Sequence, residues 1–461
     1  MSDLVVVANR GPATIEIGDG DQLVIRHGAG GLAPSLARAL EDSGGTFIAA
    51  AMTEGERRVA RDGLPPGVAS FDLSFVEIPD RVRQAAYGVV ANQTLWFLYH
   101  GLFELPRRPL FDRHFHEAFE AYREYNRLFA QEISRHADEG AVVVVHDYHL
   151  SLVGTTLARE RPDLASVHFT HTPFCTPEEL EVLPSALAGE LLRGLSSFGA
   201  TGFHTTRWAG RFADCAARHG LEPGAVFAAP LGSDAGELVA LRDSPEVRAR
   251  RAALEEVLDG RQLLLRSDRV ELSKNVLRGF LAFEELLLHE ARWRGAVTFV
   301  ARLYASRTDL AEYLSYRNEV EVLVERVNER FATPGWRPIE LEVADDFPAT
   351  VAALARYDVL LVNPIRDGMN LVAKEGPVVN ERAGVLALSS QAGAFEELGA
   401  DAVAVQPFDV SGTAAALSAS LAMPPDERAG RAARLAKLGG AKPPAAWHRE
   451  VIERAARPTA R

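Results

Sequence analysis

Residues 142–145 are four valines in a row, Val142-Val143-Val144-Val145. Side chains of a strand alternate between its two faces, so an unbroken apolar run leaves neither face for water. Such a strand belongs in the middle of a sheet covered on both sides, which points to a parallel sheet under helices. Comparable short runs recur at 4–8, 46–51, 167–170 and 199–204, then at 262–265, 296–301, 339–343, 359–362 and 385–388. Helical segments alternate with them, for example at 31–40, 112–135, 276–289 and 309–331. The fold class expected is α/β. Irregular spacing and a break near 231–245 argue for two domains over a barrel, and 461 residues suit two domains. Their expected bounds are 1–237, joined by a returning C-terminal helix at 443–461 that carries Trp447, and 238–442. A β-hairpin, 14–17 and 22–26 around Gly18-Asp19-Gly20-Asp21, is expected to interrupt the first domain.

Composition removes several function classes. Hydrophobic residues at 47% and charged residues at 25% give each domain a full core. Lys plus Arg is 50 against 63 for Asp plus Glu, a net charge of −13. Nucleic-acid binding through phosphate neutralisation needs the opposite excess, so no such partner is expected. Two cysteines, Cys175 and Cys215, make no disulfide framework, and no Cys/His zinc spacing exists. No run approaches 18 apolar residues and the N-terminus reads as a strand, so no membrane partner and a cytoplasmic location are expected. Only Lys274, Lys374, Lys437 and Lys442 break the use of Arg as the default cation.

Polar residues cluster where apolar runs end. His146-Asp147-Tyr148-His149 follows the four valines, His171-Thr172-Pro173-Phe174 follows 167–170, and Arg10 follows 4–8. Open α/β sheets bind ligands beyond the carboxyl ends of their strands, so these three positions in one half point to a site. In the second half Arg269 and Lys274 bracket a turn after 262–265, two cations able to clamp a diphosphate. Arg366-Asp367-Gly368-Met369-Asn370-Leu371-Val372-Ala373-Lys374-Glu375 follows 359–362, turns at Gly368 and opens a helix. Its free N–H groups at 369–371 suit a phosphate at the positive end of the helix. Gly28-Ala29-Gly30-Gly31-Leu32-Ala33 matches a dinucleotide fingerprint formally, but a hairpin arm precedes it where a buried strand is required. Asp19-Gly20-Asp21 reads as a turn tip and not as a metal site.

Together these motifs, with Val5-Val6-Val7-Ala8-Asn9-Arg10, Ala29-Gly30-Gly31-Leu32 and Ser306-Arg307-Thr308-Asp309, resemble the trehalose-6-phosphate synthase family. These are retaining glycosyltransferases of family 20 and of the GT-B type. The resemblance implies two Rossmann-like domains facing across a substrate cleft. It implies transfer of glucose from a nucleotide-glucose donor to glucose 6-phosphate, with no metal and no cofactor. Arg10, Tyr87, Trp96, Asp147, His204 and Arg307 would serve the acceptor. His171 and Asp367 would grip the donor glucose, and Gly31, Arg269, Lys274 and the amides of Met369, Asn370 and Leu371 the diphosphate. Phe347 and Gly368 would complete the donor site, with Glu375 on the ribose. His171, Arg269, Lys274 and Asp367 would carry catalysis, by front-face substitution in which the leaving phosphate oxygen takes the acceptor proton. A homo-oligomer, dimer or tetramer, is the common expectation.

Departures are visible. The family's R-L-D-x-x-K-G reads Arg269-Val270-Glu271-Leu272-Ser273-Lys274-Asn275, a usual Trp is Ala50, and a usual Gln is His204. Lys274-Asn275 and Val379-Asn380-Glu381-Arg382 are similar to validoxylamine phosphate synthase, which couples a GDP-linked cyclitol to an amino-cyclitol phosphate. That defines an alternative reading, and the 267–275 loop makes GDP-glucose the favoured donor over UDP-glucose. A catalytically silent binding relative would be expected to lose the diphosphate cations, Asp367 or Glu375, and all are present.

Overall fold

The computed structural model describes residues 2–27, 36, 40, 44–64, 71–307 and 310–456. The chain forms two compact units, Met1–Pro230 with Pro444–Arg461, and Leu231–Pro443. Both are Rossmann-like, the α/β class of the GT-B enzymes.

The first unit contains β1 (Ser2–Val7), the hairpin β2 (Ala13–Ile17) and β3 (Leu23–His27), then β4 (Thr46–Ala50), β5 (Asp72–Val76), β6 (Ala137–His146), β7 (Ala165–Thr170), β8 (Ala200–Phe203) and β9 (Ala225–Ala228). Among the described residues one parallel sheet runs in the order β5-β4-β1-β6-β7-β8-β9. The chain builds from β1 out to β5, then returns to lay β6 along the free side of β1. Helices leave in opposite directions at that reversal, which opens a crevice beyond the carboxyl ends of β1 and β6. Arg10 and Asp147 lie there. Val143, Val144 and Val145 are all fully buried, as an apolar run with two covered faces requires.

The helix Arg113–His136 covers this sheet. Asp112 caps it by accepting from the Phe115 amide at 2.9 Å, and Arg135 and His136 sit in its last turn, where the dipole favours cations. Its buried face is Phe115, Phe119, Tyr122, Asn126, Phe129 and Ile133, spaced three to four residues apart. A second helical stretch, Asp80 to His100, is wound with i→i+5 bonds over Gln84–Leu95 and carries Tyr87 and Trp96.

The second unit holds β10 (Gln262–Arg269), β11 (Val297–Tyr304), β12 (Ile339–Val343), β13 (Val359–Val362), β14 (Val385–Ser389) and β15 (Val403–Val405). They pair in parallel in the order β12-β11-β10-β13-β14-β15, so the reversal falls between β10 and β13. Alternate residues feed two separate cores. Leu264, Phe299, Ala301, Val359 and Leu361 pack on one face, while Leu263, Leu265, Val300, Leu360 and Val362 pack on the other.

Three differences from the sequence reading have physical causes. β10 runs on to Arg269, paired with Tyr304, so Arg269 ends a strand and does not sit on a loop. β5, β9 and β15 were not read from the sequence: β5 alternates polar and apolar residues, and β9 and β15 are only four and three residues long. The break at 231–245 contains a helix, Ala235–Arg242, capped by Asp234. The helix expected at 31–40 lies outside the described residues apart from Leu36 and Leu40, both buried. Among the described residues no helix is long and apolar enough to cross a membrane.

The returning helix, Pro444–Glu453, belongs to the first unit. Trp447 is 1% exposed and donates from Nε1 to the Ala229 carbonyl at 2.9 Å. Beyond it the Ala456 carbonyl accepts from the Ser166 amide, and a Cβ on Gly199 would stand 1.7 Å from that oxygen, so only glycine fits. Trp447→Ala should therefore cost the first unit about 3–5 kcal/mol. Scanning calorimetry should show the endotherm of that unit moving down while that of Leu231–Pro443 stays in place.

Candidate active site

In the first unit the polar residues gather at the carboxyl ends of β1, β6, β7 and β8. Arg10 is exposed; its Nη2 donates to the Tyr87 hydroxyl at 3.2 Å and its guanidinium lies 5.8 Å from the Tyr87 ring centroid. The Tyr87 ring stacks on His149 at 5.5 Å. Trp96, 2% exposed, rests on His100 and presents little surface to a ligand. Asp147 adopts a left-handed φ of 72°, strained for a residue with a Cβ, and its Oδ1 accepts from the His171 amide at 3.3 Å.

His146, His171 and His204 form a chain of imidazoles. His146 Nδ1 lies 3.1 Å from His171 Nε2, and His171 Nδ1 lies 3.0 Å from His204 Nε2. A neutral imidazole has one donor and one acceptor nitrogen, so the chain permits two proton arrangements, each fixing the tautomer of its neighbours. Both ring nitrogens of His171 are thus engaged by protein groups. Trp447 packs against all three rings, and His168 and His448 complete the group. Burial pushes His146 and His171 well below the usual histidine range and lowers His168 and His448 to about 4.

In the second unit the switch point between β10 and β13 brings together residues from three motifs. Lys274 Nζ sits 2.5 Å from Asp367 Oδ2, although 93 residues separate them. Burial opposes the ammonium charge, but Asp367 and Asp268 outweigh it and hold Lys274 protonated above its ordinary range. Asn370, at φ 75°, donates from Nδ2 to the same Asp367 oxygen at 3.1 Å and accepts from the Ala373 amide at 3.2 Å. The turn at Gly368 is wedged against Gly393, where a Cβ would come within 2.0 Å of the Gly368 carbonyl. Among the described residues the amides of Met369, Asn370 and Leu371 have no acceptor, and the helix Val372–Val379 starts directly after them. Arg269 is 44% exposed at its side chain. Glu375 has no side-chain partner among the described residues, and burial alone raises it to about 7. Phe347, at the start of the helix Phe347–Arg356, is partly buried against Leu354 and its neighbours. Gly31, Thr308 and Asp309 lie outside the described residues.

No group of three or more His, Cys, Asp or Glu is placed to hold a metal among the described residues. The second unit's switch point sets cations against carboxylates beside amides that, among the described residues, have no acceptor. The model of glycosyltransferase family 20 matches residues 2–457. The chain belongs to glycosyltransferase family 20. It is 34% identical over 441 residues to "Alpha,alpha-trehalose-phosphate synthase [UDP-forming] 1" of Arabidopsis thaliana, covering 92% of this chain and 46% of that protein. It thus spans about half the length of that relative. The similarity to "Alpha,alpha-trehalose-phosphate synthase [UDP-forming] 2" of Aspergillus niger is 32% over 473 residues, covering 97% of this chain and 96% of the other. The crystal structure of the UDP-forming enzyme of Burkholderia xenovorans in complex with glucose-6-phosphate superposes with a TM-score of 0.84 at 28% identity, over 98% of this chain and 99% of that one.

Two departures from the family-20 pattern have structural explanations. Asn275 stands where the motif carries glycine, and its φ of 59° is the left-handed conformation that Asn tolerates best after glycine. Its Nδ2 reaches the carbonyls of Asn363 and Pro407 at 3.0 and 2.6 Å. Asn380 likewise ties the carbonyls of Leu354 and Tyr357 and caps the amides of Arg382 and Gly384. Ala50 is fully buried at the end of β4. Sequence reasoning missed Arg266, fully buried, and Glu271, 1% exposed, both described below. Only the family's acidic residue at position 271 hinted at either.

The buried imidazoles give a pH prediction. Unfolded, each titrates near roughly 6.5; folded, each resists protonation, so the unfolded chain binds more protons below that pH. Stability should fall as pH drops from about 6.5 toward 4, by about 1.4 kcal/mol per pH unit for each ring. Urea unfolding of the first unit across that range should show the loss, and His168→Phe should reduce its slope.

Proposed function

We propose that the chain moves glucose from a nucleotide-glucose donor to glucose 6-phosphate, forming α,α-trehalose 6-phosphate with retention at the anomeric carbon. The observation that carries this reading is the meeting of Lys274 and Asp367 beside three amides at the start of a helix that, among the described residues, have no acceptor. A diphosphate leaving group needs cations and N–H donors, and a sugar needs a carboxylate acceptor next to them. In the second unit Arg269, Lys274 and the amides of 369–371 take the diphosphate. Asp367 takes the donor glucose, Phe347 and the Gly368 turn border the nucleotide, and Glu375 accepts from the ribose. Arg307 takes a phosphate oxygen of the acceptor. In the first unit Arg10, Tyr87 and Asp147 serve glucose 6-phosphate, with the buried Trp96 and His204 behind them. His171, which the family resemblance gives to donor glucose, has both ring nitrogens held by His146 and His204.

Chemistry then proceeds on one face of the sugar. The acceptor hydroxyl attacks as the bond to the diphosphate breaks, and the departing phosphate oxygen takes its proton, so no carboxylate nucleophile is needed. The protein supplies position and charge: Lys274 stays protonated and meets the growing negative charge of the leaving group. Relatives carry "UDP-forming" in their names, which supports UDP-glucose as the donor, with the GDP-glucose suggested by the 267–275 loop second. Both sequence features shared with cyclitol-coupling enzymes, Asn275 and Asn380, have backbone roles that favour neither reading.

Glucose 6-phosphate offered with UDP-, GDP- and ADP-glucose separately should release nucleoside diphosphate and yield a product with the mass of trehalose 6-phosphate. Silence with all three donors overturns the reading. Lys274→Ala should lower kcat about 10²–10³-fold while the chain still folds. Because an ionised carboxylate is the better ribose acceptor, nucleoside diphosphate affinity should rise with pH through about 7, and Glu375→Gln should flatten that dependence.

A further inference from the structure

Glu271 is almost wholly buried, yet among the described residues three donors converge on its Oε1. They are Ser306 Oγ at 2.8 Å, Arg307 Nη1 at 2.9 Å and Arg269 Nη1 at 3.2 Å. Two guanidinium groups repel each other, and the oxygen on which they meet is buried, with Arg307 only 14% exposed beside it, so their convergence relies on the charge of that oxygen. The carboxyl is ionised: burial pushes it up, but Arg269, Arg307 and Lys274 pull it down to about 2. Its main chain serves the same cluster, since the Lys274 amide donates to the Glu271 carbonyl at 3.0 Å. Arg307 pays a conformational cost to be there, with φ at 47°, and Tyr313 Oη holds the same Nη1 at 2.7 Å.

We propose that Glu271 is a positioning residue, a resident counter-anion that fixes Arg269 and Arg307 for the two substrate phosphates and competes with those phosphates for them. The inference rests on the roles given above to Arg269 and Arg307. A fixed internal anion has two opposite effects. It preorganises both guanidinium groups, which favours the transition state, and it offsets their charge, which weakens ground-state binding of anions. Neutralising it should separate the two effects. A residue that merely supports the fold would weaken binding and turnover together.

The test compares wild type, Glu271→Gln and Glu271→Asp in three measurements: calorimetric titration with inorganic pyrophosphate, steady-state kinetics with glucose 6-phosphate and the preferred nucleotide-glucose, and thermal melting. Glu271→Gln should bind pyrophosphate ~3–10-fold tighter and lower the KM for glucose 6-phosphate, while kcat falls ~10²-fold. Glu271→Asp keeps the charge, so it should hold wild-type pyrophosphate affinity and a kcat within ~10-fold of wild type. Weaker pyrophosphate binding by Glu271→Gln, or an unchanged kcat, overturns the proposal. If Glu271→Gln does not fold, Glu271→Asp decides: a folded aspartate variant with no turnover sinks the idea. A wild type silent with every donor removes the proposed function, and the pyrophosphate titration then judges Glu271 without it.

Discussion

Everything the second unit presents to a ligand hangs on one buried cation. Arg266, with no exposed surface, lies on β10 three residues before its end. Its guanidinium donates to Asp268 at 3.1 Å, to the carbonyls of Val276 and Lys274 at 3.3 and 2.7 Å, and to Asn363 Oδ1 at 2.9 Å. Those partners belong to the strand that ends in Arg269, the turn that carries Lys274 and the segment leading to Asp367. A planar fork with fixed donor directions can hold three backbone segments in one register, which a lysine on a flexible stem cannot. Gly279 leaves room for it, since a Cβ there would approach Nη1 to 2.5 Å.

The same switch-point geometry appears in both units, and each loads it differently. The first sets neutral, buried rings around Trp447 beside it, at the ends of β6, β7 and β8. The second fills its own with charge that is already paired, four cations on three carboxylates: Lys274 on Asp367, Arg269 and Arg307 on Glu271, Arg266 on Asp268. In a chain of net charge −13, unpaired cations at that place would attract whatever carboxylate could reach them. Internal pairing keeps the site defined and makes anion binding an exchange of partners.

Much of this was legible in the sequence, and the boundary of legibility is physical. Central strands announce themselves because both their faces are buried, as Val143–Val145 show; β5 alternates polar and apolar residues, and the apolar β9 and β15 are too short to stand out. Lys274 and Asp367 stood out by motif, and the structure brings their side chains together. Arg266 and Glu271 did not stand out, because a charged residue reads as surface until the fold shows which opposite charges enclose it. Loss of the motif glycine at Asn275 looked chemical and is conformational: φ of 59° is open to both residues. Spacing cannot show that, since it carries no dihedral angles.

Lys374 had a motif position and no legible role. Its side chain is 1% exposed, its Nζ pairs with Glu397 at 2.5 Å, and it donates to the Leu231 carbonyl at 2.8 Å. Leu231 is the residue at which the chain enters the second unit, and the Gly232 amide bonds to the carbonyl of Lys442, just before the chain leaves it. The turn of helix that bears Glu375 is therefore moored to both ends of its own unit's covalent connection to the rest of the molecule. A shift of that helix must either carry the segments around Leu231 and Lys442 along or part a buried ammonium from Glu397 and the Leu231 carbonyl. Local give and long-range displacement are, for this helix, the same movement.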